Sequence, residues 1–305
     1  MNQRSKVDDY IASLKASPSL ESQIGFHKIM PAKEAARAAT QKPLPEPLQH
    51  LLKAIGIQEL YDHQATAINY IRSGRHVIVA TPTASGKSLV YNLPVLEKIN
   101  ANVHSNALYI FPLKALSQDQ LKSFQQIAKF CKGPRPTAGI YDGDTSTWHR
   151  RRMRETPPNV VFTNPEMVHL SLLAHNEKWS TFLSHLEFVV VDEVHTYRGV
   201  LGSHVSQIFR RLRRLCEHYG SRPTYIFSSA TVAKPDQLAE RLIGLPVAAV
   251  DRSGAPQAKR HLDFVDPQTS PAQAATVLLK AALERKLRTI VYTQSRKLAE
   301  LIAIW

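Results

Sequence analysis

The sequence predicts an α/β fold, a mainly parallel sheet flanked by helices. Three observations carry this. Short apolar, β-branched runs recur between helix-patterned stretches. The runs are apolar throughout instead of alternating, as strands buried on both faces require. Small, hydroxyl-bearing and acidic residues cluster just beyond their carboxyl ends, where ligands gather in such sheets. With 305 residues and 43% apolar content, there is room for one large domain or two modest ones.

A short helix is expected over residues 5–16, ended by Pro18. Pro31, Pro43, Pro45 and Pro47 then break any long element, and residues 1–47 read as an amino-terminal arm lying on a larger body. The body, residues 48–250, opens with a helix over 48–55 that Gly56 stops, and a second helix begins within 60–68. Strands are expected at 76–80, 107–111, 137–141, 160–163, 188–191, 224–228 and 247–250. Residues 251–271 read as a linker rich in proline and polar residues, and 272–287 as a helix within a final segment, 272–305.

The net charge of +14 points to a polyanionic partner, and nucleic acid is favoured over membrane because no basic amphipathic anchor stands out. No apolar run is long enough to cross a bilayer, and the first nine residues hold no signal-peptide core, so the cytoplasm is the expected location. Two cysteines, Cys131 and Cys216, form neither a disulfide framework nor a zinc spacing.

The stretch that organises the chain is Thr81-Pro82-Thr83-Ala84-Ser85-Gly86-Lys87-Ser88, between a strand and a helix. Small side chains let successive backbone N–H groups turn inward, and the helix directs its positive end at the same point, so the loop cradles anionic oxygens. Lys87 would reach the β and γ phosphates of a nucleotide such as ATP, and the Ser88 hydroxyl would ligate Mg²⁺. Thr81 stands where the G-x-x-x-x-G-K-[ST] pattern has its first glycine. The alternative is a plain small-residue turn.

The run 188–191 leads into Asp192-Glu193-Val194-His195. Two carboxylates at the end of a buried strand are costly without a cation or hydrogen-bond partners, which points to a metal held by Asp192 and Glu193. Glu193 would polarise an attacking water. Upstream, the amide of Gln64 could match the adenine edge, and beyond the next strand Ser229 and Thr231 could link the site to domain motion. Plain helix-surface and turn roles are the alternatives for these three.

In this order and spacing, Gln64, the Gly86-Lys87-Ser88 loop, Asp192-Glu193-Val194-His195 and Ser229-Ala230-Thr231 resemble the superfamily two DEAD/DEAH-box helicases. Thr83 to Ser88, Tyr141-Asp142-Gly143-Asp144-Thr145 and the run from Asp192 to Gly199 are closest to the branch of bacterial mitomycin-repair helicases and their fungal RecQ-four-like relatives. The resemblance implies a RecA-like P-loop NTPase domain over 48–250 and the start of a second over 272–305. It implies ATP and Mg²⁺ as cofactors, with Tyr61 and Gln64 beside the base and His195 joining Lys87, Asp192 and Glu193 in catalysis. It further implies a motor in DNA repair that engages single-stranded or forked DNA, translocates along the single strand and unwinds duplex in the 3′→5′ direction. Pro112 and Lys114, and Thr163, Asn164 and Pro165, match the family's strand-contacting motifs. Arg150, Arg151 and Arg152 form a basic stretch read as a further contact, and no aromatic ladder for base stacking is evident.

Residues 289–296 resemble a motif on the first strand of the second domain, and the chain is expected to stop inside that domain, short of its arginine finger. Such a finger is worth ~10³ to 10⁵ in rate in comparable NTPases. A catalytically silent ATP- or DNA-binding piece and an RNA helicase are therefore the competing expectations.

Overall fold

A computed structural model describes residues 5–131, 135–268 and 270–304. The chain forms two compact units, one of residues 34–255 and one that joins residues 1–33 to 256–305.

The larger unit is built on seven parallel strands in the order β4-β5-β3-β6-β7-β2-β8. They are β2 (Val77–Ala80), β3 (Asn106–Ile110), β4 (Ala138–Ile140), β5 (Val160–Thr163), β6 (Leu186–Val191), β7 (Thr224–Ser229) and β8 (Ala248–Val250). Each falls within a residue or two of its expected place. The pleat divides their side chains between two cores. Val79, Tyr109, Phe162, Val190 and Ile226 face the helices Glu46–Ala54, Asp62–Arg72, Lys87–Ala101 and Lys114–Ala128, as the buried leucines and isoleucines of those helices attest. Ile78, Ile110, Val161, Val191 and Phe227 face helices Gly199–His218 and Pro235–Ile243. Every one of these ten strand residues is essentially inaccessible, and burial stabilises each large side chain by ~1.5–3 kcal/mol. In helix Gly199–His218, Val205, Phe209, Leu212 and Cys216 are buried and Ile208 and Leu215 partly so, which leaves Arg210, Arg211 and Arg214 on the exposed face as the spacing predicts.

The smaller unit departs from expectation. Strand β1 (Ile24–Met30), in the stretch read as an arm, pairs antiparallel with β9 (Arg260–Val265), in the stretch read as a linker. The two also meet through a hydrogen bond between His27 Nδ1 and Asp263 Oδ1 at 2.6 Å and through the stacked rings of Phe26 and Phe264. Residues 34–47, also assigned to the arm, belong to the larger unit instead. Helix Pro271–Glu284 forms as expected. Residues 289–293 do not form the expected strand, and Ile290 and Tyr292 lie exposed. A strand needs a ladder partner, and among the described residues nothing pairs with this run.

Candidate active site

Strand β7 separates β2 from β6, so the segments leaving the carboxyl ends of β2 and β6 emerge two strands apart on one edge of the sheet. After β2, Thr81 is fully buried and its hydroxyl lies 2.7 Å from that of Ser85. Ala84 has φ 60° and Gly86 φ 76°, so the loop turns through two left-handed residues before helix Lys87–Ala101 begins. Gly86 is required on two counts: its positive φ, and a close approach in which an added Cβ would sit 2.5 Å from Gln64 Nε2. Pro82, Thr83 and Ser88 are accessible to varying degrees along the same loop.

Lys87 Nζ donates to the carbonyls of Thr81 at 2.9 Å and Pro82 at 3.0 Å, folding back over its own loop. Burial holds its ammonium below the ordinary lysine value, and the charges of Glu193 and Asp192 pull it back up. The reciprocal effect acts on Asp192, whose carboxyl is pushed up by burial and by Glu193 and drawn down by the Ser228 hydroxyl, the Glu193 N–H and Lys87. The three side chains therefore share one electrostatic site. Among the described residues Asp192 makes no ion pair; its Oδ1 accepts from the Glu193 N–H at 2.9 Å.

Glu193 sits at φ 50°, a left-handed conformation that costs a residue with a Cβ ~1–2 kcal/mol. The turn aims its carboxylate at His195, whose Nδ1 lies 3.2 Å from Glu193 Oε2 and 3.3 Å from the Ser229 hydroxyl. The end of β7 is thereby tied to the acidic pair. Thr231, grouped with Ser229 by sequence, lies exposed beyond the strand and makes no hydrogen bond among the described residues.

The amide of Gln64 is largely committed inside the protein. Its Oε1 accepts from the Tyr61 N–H at 2.9 Å and its Nε2 donates to the Gly86 carbonyl at 2.9 Å, which leaves one N–H and one lone pair. Tyr61 stacks on His63, with ring centroids 5.8 Å apart. Sequence reasoning missed His63. Its side chain is fully buried, its Nδ1 accepts from the Gly254 N–H at 3.2 Å, and its Nε2 donates to the Ser85 carbonyl at 3.0 Å. One buried imidazole thus joins the phosphate loop to a segment 191 residues away. No local pattern marks it, because both partners are backbone atoms.

The expected nucleic-acid residues are placed at the ends of β3, β5 and β4, which are adjacent in the sheet. Lys114 is exposed and bonded to Asp144 at 2.7 Å. Pro112 and Pro165 are half-buried, and Asn164 caps the helix that Pro165 opens by accepting from the Met167 N–H. Thr163 is buried and donates to the Tyr141 carbonyl at 2.7 Å, so it ties β5 to β4 and presents nothing to a ligand. Arg150 likewise turns inward, to the carbonyls of Asp142 and Gly143. Arg151 pairs with Glu155, and Arg152 lies over the ring of Trp148.

Comparison with known proteins agrees with this layout. The family model for the DEAD/DEAH box helicase matches residues 61–238. The ATP-dependent helicase YprA of Bacillus subtilis is 40% identical over 98% of this chain, and hrq1 of Schizosaccharomyces pombe is 33% identical over 96%. The chain spans 40% and 29% of the length of these two relatives. The crystal structure of the helicase MrfA bound to DNA and AMPPNP superposes with a TM-score of 0.91 at 38% identity, covering 96% of this chain and 41% of that one. With a RecA-like sheet, a phosphate loop at β2 and an acidic pair at β6, the chain belongs to the DEAD/DEAH box helicase family.

Proposed function

We propose that this chain is the nucleotide-binding motor portion of an ATP-dependent DNA helicase that acts on single-stranded or forked DNA in repair. The observation that carries the reading is the shared electrostatic site of Lys87, Asp192 and Glu193 at the ends of β2 and β6. Lys87, released from the Thr81 and Pro82 carbonyls, grips the outer phosphates, and the loop N–H groups hold the inner ones. Tyr61 and the free N–H and lone pair of Gln64 take the base. Because the other half of that amide holds the Gly86 carbonyl, base recognition is felt in the phosphate loop. Glu193 orients the attacking water and accepts its proton, and His195 relays the state of that carboxylate to Ser229.

The donor set fits magnesium: Ser88, Asp192 and Glu193 offer hard oxygen ligands, and no cation pairs with Asp192 among the described residues. When bound there, Mg²⁺ would neutralise charge developing on the transferred phosphate. DNA is favoured over RNA by the 38% identity with a solved helicase structure bound to DNA.

Calorimetric titration with AMPPNP tests the reading. Binding is expected with Mg²⁺, to weaken steeply when the metal is chelated, and to weaken about 10- to 150-fold in Lys87→Ala. Undiminished affinity in that variant would refute the assignment of the site.

A further inference from the structure

Helix Thr147–Glu155 buries none of its side chains, yet its two faces differ in kind. Arg150, Met153 and Arg154, spaced i, i+3, i+4, face the body. Arg150 Nη2 donates to the Asp142 carbonyl at 2.8 Å and the Gly143 carbonyl at 3.0 Å, Arg154 Nη1 donates to the Tyr141 hydroxyl at 3.1 Å, and Met153 packs on the apolar core. Two of the arginines that make this stretch look like a DNA-binding tract are anchors. The opposite stripe, Trp148, Arg151, Arg152 and Glu155, is exposed.

Trp148 is 61% exposed. The Arg152 guanidinium lies 5.5 Å from its ring centroid, and the His149 ring meets it edge-on at 4.8 Å. Arg151 is neutralised by Glu155 at 2.7 Å, whereas Arg152 makes no ion pair among the described residues. A large aromatic face is thus held in water beside a free cation, by a helix pinned on its far side.

We infer that Trp148 is a stacking platform for a base of single-stranded nucleic acid, with Arg152 holding the adjoining phosphate. The inference rests on the function proposed above and adds a contact that family motifs and charge alone do not supply. Charge complementarity selects the occupant, since Trp148 is the single large apolar side chain on the outward stripe and a lone cation stands beside it. Continuity selects the place. The Lys114–Asp144 bond joins the end of β3 to the turn that feeds this helix, so Trp148 extends the row of strand ends carrying Lys114 and Asn164. Stacking tolerates any base. A motor that grips phosphates without reading sequence can therefore use such a platform.

The test is the affinity of the 305-residue chain for a homopolymeric thymidine oligonucleotide, by fluorescence anisotropy across a salt series. Trp148→Ala is expected to weaken binding about 5- to 150-fold with the salt slope unchanged, and Trp148→Phe to retain most of it. Arg152→Ala should instead reduce the slope by about 0.7. All three should melt like wild type and bind AMPPNP equally. Wild-type binding with an indifferent Trp148→Ala overturns the inference alone. A wild-type chain without affinity for the oligonucleotide overturns both the inference and the nucleic-acid part of the proposed function. Concentration-dependent self-association that Trp148→Ala abolishes, with DNA affinity unchanged, would reassign the ring to a protein contact.

Discussion

Lys87 carries a charge that its own surroundings disfavour. It is half-buried, and burial disfavours its charge. Its two hydrogen bonds go to carbonyls of its own loop, which a phosphate would outcompete as a charged acceptor. Lys87→Ala should therefore weaken nucleotide binding by ~1.5–3 kcal/mol, or about 10- to 150-fold, while leaving the melting temperature nearly unchanged. Calorimetry and thermal denaturation on the same sample check both halves. Ala84 stores strain at φ 60°, a left-handed conformation that favours glycine. Ala84→Gly should be neutral to stabilising, by up to ~1 kcal/mol, because relief of the Cβ clash outweighs the added freedom of the unfolded chain. Denaturant titration at constant m would register it.

The elements around the site are tied together by two imidazoles, the buried His63 and the half-buried His76, in addition to apolar contacts. His63 links the loop after β2 to Gly254, and the His76 ring accepts from the Tyr225 N–H at the start of β7. Burial holds both below the ordinary value of 6.5. At pH values under 6.5 the unfolded chain therefore takes up protons that the fold refuses. Stability is full above 6.5 and falls as the pH drops through it towards the two folded values. Melting temperatures between pH 7.5 and 5.5 should decline, and His63→Ala should flatten part of that decline at a lower starting stability. Gly254 answers to the same network. An added Cβ would lie 2.5 Å from the backbone carbonyl of Ala36, which cannot swing aside, and would also collide with the side-chain Oδ1 of Asp62. Gly254→Ala is expected to cost ~1–3 kcal/mol, read as a loss of melting temperature.

At the scale of the whole chain, the two units differ in how they are stabilised. The larger has seven strands covered on both faces and two extensive cores. The smaller has a two-stranded sheet whose Phe26, Ile29, Leu262 and Phe264 are exposed, and a sheet of that size is marginal in water. Amide hydrogen exchange should be markedly faster across β1 and β9 than across β3 and β6, with ordinary unfolding kinetics in the larger unit. Equal protection of both sheets would contradict this division.

How much of this was legible beforehand depends on the range of the interaction responsible. Strands β2 to β8 were readable because a parallel strand covered on both faces must be apolar along its length, a property of consecutive residues. The positions of the loop from Thr81 to Ser88 after β2 and of the Asp192-Glu193 pair after β6 were readable for the same reason, since each follows directly on such a run. Tertiary structure alone decided the pairing of β1 with β9, whose partners lie more than two hundred positions apart. It decided that His63 spans from Ser85 to Gly254, that Arg150 and Thr163 serve the fold, and that Trp148 stands in water. It also withheld a strand from residues 289–293, which have the composition of one but no neighbouring ladder. A strand's polarity pattern is local, whereas the partner for its hydrogen bonds, and the face of a helix left open to solvent, are set by whatever the rest of the chain brings alongside.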